Sequence, residues 1–239
     1  MIRRLLIVAL VIAAIGMSTP AAAAPVAAPA GMSSDVIRTT LMLTLLAILP
    51  AIMISMTSFV RIIITLSMVR HAFGMPETPP NAVLISLALF LTAFSMAPTL
   101  AVLNSQAVQP FLGGNIGVEE AMAKGSIPLR TFMLAQTRDS DIEAIYAIAR
   151  APVPQRPDQV DILKLAPAFI MNELRVSFTI GFIILLPFLL IDLVVSAILL
   201  ALGMMMVPPA TISLPIKLLM FVLIDGWSLI IQGVLGSFR

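Results

Sequence analysis

The chain has no cysteine and a single histidine, His71. The first absence excludes disulfides, thiolate metal sites and cysteine nucleophiles, and the second excludes a multi-histidine metal centre. Charge is scarce too: 11% of residues are Asp, Glu, Lys or Arg, against about 25% in soluble domains. The net charge of +2 comes from scattered basic residues, so nothing reads as a nucleic-acid surface. Also missing are an H-E-x-x-H pattern, a phosphate loop, a glycine-rich nucleotide fingerprint and a serine with a histidine partner in apolar sequence. The expectation is a protein that is not an enzyme and holds no cofactor or metal.

What remains is apolar. Hydrophobic residues make up 60% of the chain and the mean hydropathy is +1.09, which places it among integral membrane or membrane-complex proteins. The fold class expected is all-α. Met1-Ile2-Arg3-Arg4 is a basic start, 5–15 an apolar core and Ala21 to Ala24 a small-residue cleavage region, the pattern of a secretory signal peptide over 1–24. The apolar run is shorter than the roughly 20 residues a span needs. An Ala/Pro-rich exported stretch follows over 25–38.

Residues 39–103 read as a first hydrophobic helical hairpin. Pro50 should kink its first arm and Pro98 sits in its second. Gly74, Pro76, Pro79 and Pro80 form the turn. The tip carries Arg61 and Arg70 against Glu77, which the positive-inside rule places on the cytoplasmic side if the N-terminus is exported.

The middle, 104–166, differs in kind. Between Glu119 and Arg175 lie 15 of the chain's 26 charged residues. Val118 to Lys124 reads as a short helix ending at Gly125, and Pro128 opens another in which Leu129, Phe132, Met133 and Gln136 share helical spacing. Ser140 with Glu143 forms a capping-box pattern ahead of Ile142, Ile145 and Tyr146. The expectation is a polar helical subdomain between two hairpins, with Phe132 either in its core or on a contact surface.

Residues 167–239 read as the second hydrophobic hairpin. Pro167 begins the first arm, Pro187 kinks it and Asp192 lies within it. A return helix over 216–235 holds Lys217 and Asp225. The turn between them is Gly203-Met204-Met205-Met206-Val207-Pro208-Pro209, where polar turn residues would be usual. Three consecutive thioethers make neither a helix face nor a strand face, and methionine suits a surface that must re-form its contacts. A gasket around a pore and ordinary interface packing both fit Met204, Met205 and Met206. Gly203 would allow close backbone approach, while Pro208 and Pro209 would fix the exit.

Arg61, Glu173, Asp192, Lys217 and Asp225 are ionisable residues in or beside apolar sequence, where a bare charge costs roughly 2.5–3.5 kcal/mol at mid-membrane. They serve either an ion pathway or pairing between helices or subunits. Asp192 and Lys217 lie on opposite arms at unequal distances from the methionine turn. Arg175 is too near Glu173 in sequence to face it, so its partner must come from another helix or subunit.

Several stretches in one register resemble the FliP family of type III secretion export-gate proteins. They are Met56 to Ile64, Thr78-Pro79-Pro80-Asn81, 87–92, the segment 167–174, Leu186 to Val195, the methionine turn, Ile212-Ser213-Leu214-Pro215 and Asp225-Gly226-Trp227. The signal peptide fits the flagellar branch. Asn172 departs from the usual Ser or Thr there, and Pro208 from a small polar residue.

The resemblance implies a pentameric ring joined by FliR and FliQ, with FlhB and FlhA nearby, in the flagellar basal body at the bacterial inner membrane. That assembly passes unfolded flagellar substrates, with the hairpins packed protein against protein and largely lifted out of the bilayer plane. It also implies the gasket role for Met204 to Met206 and shifts Phe132 toward subunit contact. The alternative from another class is a secondary transporter or ion-channel subunit. An intramembrane enzyme lacks a nucleophile and base.

Overall fold

The computed structural model describes residues 39–40, 43–44, 47, 50–52, 54–75 and 77–238. The signal peptide expected over 1–24 and the exported stretch 25–38 lie outside the described residues. The chain divides into two compact units, Met1–Ala47 and Ile48–Arg239. In the first, the described residues are helical, and Thr44 Oγ1 donates to the Thr40 carbonyl at 2.9 Å.

In the second unit every regular element among the described residues is helical. α1 (Phe59–Ala72) and α2 (Asn81–Leu103) are joined by a turn that includes a cis Thr78–Pro79 bond. α2 continues through a π-helical stretch, Asn104–Val108, into the short α3 (Gln109–Leu112). α4 (Val118–Gln136) and α5 (Asp139–Ile148) follow. α6 (Ile162–Ala201), α7 (Ala210–Leu223) and α8 (Gly226–Gly236) complete the chain. Among the described residues two helical stretches, Asn81–Leu112 and Ile162–Ala201, are long and apolar enough to cross a membrane, and up to four spans result if each of two bent pairs counts as one. The protein is an all-α membrane protein.

α6 is the spine. Its 40 residues extend about 60 Å at the α-helical rise. Asp161 starts it: one carboxylate oxygen accepts from Leu163 N at 3.0 Å and the other from Lys164 Nζ at 2.7 Å. The Lys164 bond holds the Asp161 carboxyl below its ordinary 3.8. Tyr146 Oη accepts from Asp161 N at 3.0 Å, tying this start to α5.

Along α6 two cores form in succession. Leu165, Ala168 and Phe169 pack with Met133 of α4, Ile142 and Tyr146 of α5, and Val160. Farther along, Phe188 joins Ile62, Leu66 and Val69 of α1, Leu84 and Ala88 of α2, Phe221 of α7, and Ile230 and Val234 of α8. Gly181 lets α1 approach, because a Cβ there would lie 2.2 Å from Met68 Sδ.

Several local expectations are corrected. The first arm bends by 78° between Pro50–Met56 and Phe59–Ala72, at Thr57-Ser58, where no bend was expected, while the kink expected at Pro50 turns on residues 48–49, outside the described residues. α4 is one helix straight through Gly125 and Pro128, with Pro128 buried inside it. Tertiary packing outweighs the local cost of a proline here, as it does for most helical stability in proteins. α5 starts after Arg138 with no side-chain cap, its first turn carrying Asp139 and Asp141 where carboxylates complement the helix dipole. α6 begins at Ile162, and Pro167 lies within it. The return arm is two helices at 67°, not one.

Candidate functional site

Three places collect the residues singled out from sequence. The first is centred on Arg61 of α1, 2% exposed, facing Glu173 of α6, fully buried. Glu173 lies one turn beyond Phe169 and Arg61 directly precedes Ile62, so the pair stands where the two cores meet. Arg61 Nε donates to Glu173 Oε2 at 2.8 Å, and Nη2 to Glu173 Oε1. Nη1 donates to the carbonyl and hydroxyl of Ser237 at 2.8 and 3.0 Å, and Nη2 also reaches Gln136 Oε1 at 3.3 Å. These account for all five guanidinium donors. Phe238 covers the guanidinium with its ring centroid 4.0 Å from Cζ, an attraction between cation and ring face.

One side chain thus joins α1, α6, the end of α4 and the segment after α8. Asn172 adds to the seam by donating from Nδ2 to the Gln136 carbonyl, the last of α4. Asn172 thus crosslinks two helices, where an altered cap was expected. Arg61 was expected at a hairpin tip; it lies in the interior because the helix row Arg61, Thr65 faces α6.

The second place is the Lys217–Asp192 pair, 2.6 Å apart. Lys217 Nζ also donates to the Ala72 carbonyl at 3.3 Å, placing a cation at the negative end of α1. Ser213, one turn before Lys217, is buried on the same face of α7. Asp192 is nine residues before the end of α6 and Lys217 seven after the start of α7, offsets of about 14 and 10 Å along the helices. The long lysine side chain absorbs that inequality.

The third place is the turn between α6 and α7. Gly203, at φ +73°, ends α6. Met204 N donates to the Leu199 carbonyl at 2.9 Å and Gly203 N to that of Leu200 at 3.0 Å, the paired bonds of a Schellman cap. A Cβ on Gly203 would meet nothing within 4 Å of this chain, so within the chain the glycine serves the left-handed backbone. On the other side, the Pro208 carbonyl accepts from Thr211 N at 3.1 Å and Thr211 Oγ1 at 2.7 Å, and Pro209 caps α7. Between these anchors Met204, Met205 and Met206 project outward, Met205 81% and Met206 95% exposed.

Asp225 and Phe132 fall outside these places. Asp225 is exposed at the break between α7 and α8, in the left-handed region at φ 50°, where a buried charge was expected. Phe132 is half-buried, its ring edge-on to Phe169 at 5.9 Å. His71 is exposed on the last turn of α1, its Nδ1 2.8 Å from the Ser67 carbonyl.

Sequence reasoning missed Gln136, Ser237 and Phe238 as partners of Arg61, the Ala72 carbonyl as an acceptor of Lys217, and the two-pronged Arg175–Asp141 pair at 2.7 Å. One signal was available: Phe169, Glu173, Ser177 and Gly181 recur every four residues, as do Ser213, Lys217 and Phe221. Polar residues in such rows lie on the buried face. For Ser237 and Phe238, a few residues after an apolar helix, no periodic signal exists.

The family model described as the FliP family matches residues 42–234. The chain is 50% identical over 202 residues to the flagellar biosynthetic protein FliP of Pectobacterium carotovorum subsp. carotovorum, covering 84% of this chain and 78% of that protein. It is 48% identical over 203 residues to the Buchnera aphidicola subsp. Acyrthosiphon pisum (strain APS) protein of the same name, covering 85% of this chain and 54% of that protein. It is 44% identical over 205 residues to the Bacillus subtilis (strain 168) protein of that name, with 86% and 93% covered. A match over most of the chain, in an all-α membrane protein, supports a single conclusion: the chain belongs to the FliP family.

Proposed function

We propose that this protein is a pore-forming core subunit of the flagellar type III protein export gate and passes unfolded flagellar substrates across the bacterial inner membrane. The observation that carries this reading is the methionine turn. Soft, exposed thioethers stand on two rigid anchors, a Schellman cap and a Pro-Pro start, with no charge among them. One such turn encloses nothing, whereas several copies around an axis form a compliant ring that closes on itself or around a passing chain.

In this reading a homo-oligomeric ring joins other export-gate subunits, FliR and FliQ among them, through its bare apolar faces. The methionines act as the gasket, Gly203, Pro208 and Pro209 hold them in place, and Phe132 stands near subunit contacts. The alternative of an ion-coupled transporter or channel loses support from the embedded charges. Arg61 with Glu173 and Lys217 with Asp192 are closed pairs, which argues for holding helices together over relaying ions.

Replacing Met204, Met205 and Met206 together by alanine in the assembled complex tests the gasket. The expected result is normal assembly with increased small-ion conductance in reconstituted bilayers. Conductance equal to the unaltered complex would refute it.

A further inference from the structure

The elbow between α7 and α8 carries a group that nothing so far accounts for. Asp225 is the sole ionisable residue between Lys217 and Arg239, and its side chain makes no cap on the helix that it begins. Among the described residues its carboxylate has neither a hydrogen bond nor an ion pair. The neighbouring side chains are apolar and open: Val222 is 74% and Leu223 75% exposed, with Ile224 and Leu229 also exposed. α7 and α8 together are apolar and long enough for one broken membrane span or a re-entrant loop, with this carboxylate at the break in either case.

The bend itself does not need the charge. A Cβ at Gly226 would lie 2.1 Å from the Phe221 ring, so only glycine lets the chain turn beneath it. Trp227 then stacks edge-on against Phe221 at 5.4 Å. The left-handed backbone at 225 would be served by asparagine as well as by aspartate. A carboxylate set among exposed apolar side chains within a membrane-embedded segment is unfavourable unless paired. The other charges embedded in these helices, Arg61, Glu173, Asp192 and Lys217, are already paired inside the chain, as are Lys164 and Arg175.

We infer that the α7–α8 elbow is a docking surface for a different membrane protein, one whose apolar helix presents a lone lysine or arginine to Asp225. The open side chains of Val222, Leu223 and Leu229 supply the apolar part of the contact and the carboxylate supplies its register, as a buried charge pair does between partner helices. A second copy of this chain meets the requirement poorly: Arg61 and Lys217 are committed to ion pairs, and Arg70 is held at the end of α1 by Asn81 and the Pro79 carbonyl. The inference rests on the export-gate reading in that it takes the protein to work inside a multi-subunit membrane complex.

The test uses the full chain as the sole copy in a flagellated bacterium lacking its own relative, with complexes extracted in detergent and weighed by native mass spectrometry. Asp225→Asn and Asp225→Lys should accumulate normally and keep the homo-oligomer. Asp225→Lys should lose one partner subunit, and replacing a lysine or arginine within an apolar helix of that subunit by aspartate should restore it. A complex of unchanged composition with Asp225→Lys overturns the inference. So does failure of every such replacement in the lost subunit, rescue by a change at Arg70 of this chain, or an Asp225→Asn chain that does not accumulate. An unaltered chain that fails to restore swimming counts against the export-gate reading. Restored swimming with an unchanged Asp225→Lys complex counts against this inference alone.

Discussion

The two halves of α6 meet opposite surroundings. Its first half packs against α4, α5 and α1, and its Glu173 is closed off: Arg61 satisfies it and spends its remaining donors on Gln136 and Ser237. Its second half leaves Phe182, Leu186, Leu189, Leu193 and Leu200 exposed and ends at the bare methionines. The first half also leaves Leu163, Met171, Leu174 and Phe178 open, but its polar residues find their partners within the chain, whereas the second half is open almost wholly through apolar side chains. Shape is held at one end, and an apolar surface is left open at the other.

The largest effect should come from breaking the closed end. Arg61→Ala leaves a buried, unpaired Glu173 and should destabilise by about 3–5 kcal/mol, the usual cost of removing one partner of a buried pair. The fraction of protein remaining folded in detergent after heating would measure it. Replacing both, as Arg61→Met with Glu173→Leu, should recover much of that loss if desolvation dominates; no recovery would mean that the bonds to Gln136 and Ser237 matter more.

Next in size is Gly226→Ala, which forces a Cβ into the Phe221 ring and should cost about 1–3 kcal/mol, as overpacked cores do. Heat stability of the detergent-solubilised protein reports it, and an unchanged midpoint would show that the elbow yields freely. At the open end, the triple alanine variant of Met204, Met205 and Met206 should change stability by no more than about 0.5 kcal/mol, as exposed positions do. A larger loss would erase the contrast between the two ends.

The smallest effect concerns pH. Folding lowers the Asp161 carboxyl below 3.8 through its bond to Lys164, so its contribution is present above the unfolded value and disappears as pH falls through the folded one. Asp161 is exposed, which keeps the effect small. Asp161→Asn should lower the heat stability slightly at neutral pH, and this difference should vanish in strong acid.

Legibility from sequence followed the range of the interactions involved. Apolar runs and the methionine turn depend on composition and on neighbours along the chain, so they could be read. The pairing of Asp192 with Lys217 was within reach because the turn between them sets how far each stands from the tip. The break at Asp225 was not, although Phe221, Gly226 and Trp227 create it over a few residues, because a glycine's need for space appears only when the ring that would fill it is in place. Pro128 misled for the reciprocal reason: its local penalty is real, yet packing around α4 outweighs it.

By itself, the sequence determined an all-α membrane protein of this family, with embedded charges and a soft, proline-flanked turn, because hydrophobic content and local propensity are properties of the chain. Only the tertiary structure decided which charges meet, that Arg61 is sealed by Gln136, Ser237 and Phe238, and that Asp225 stands outside every pair among the described residues. Those outcomes depend on helices brought together from distant parts of the chain, where a side chain's partner is set by the packing angle and the helix row rather than by its place in the sequence.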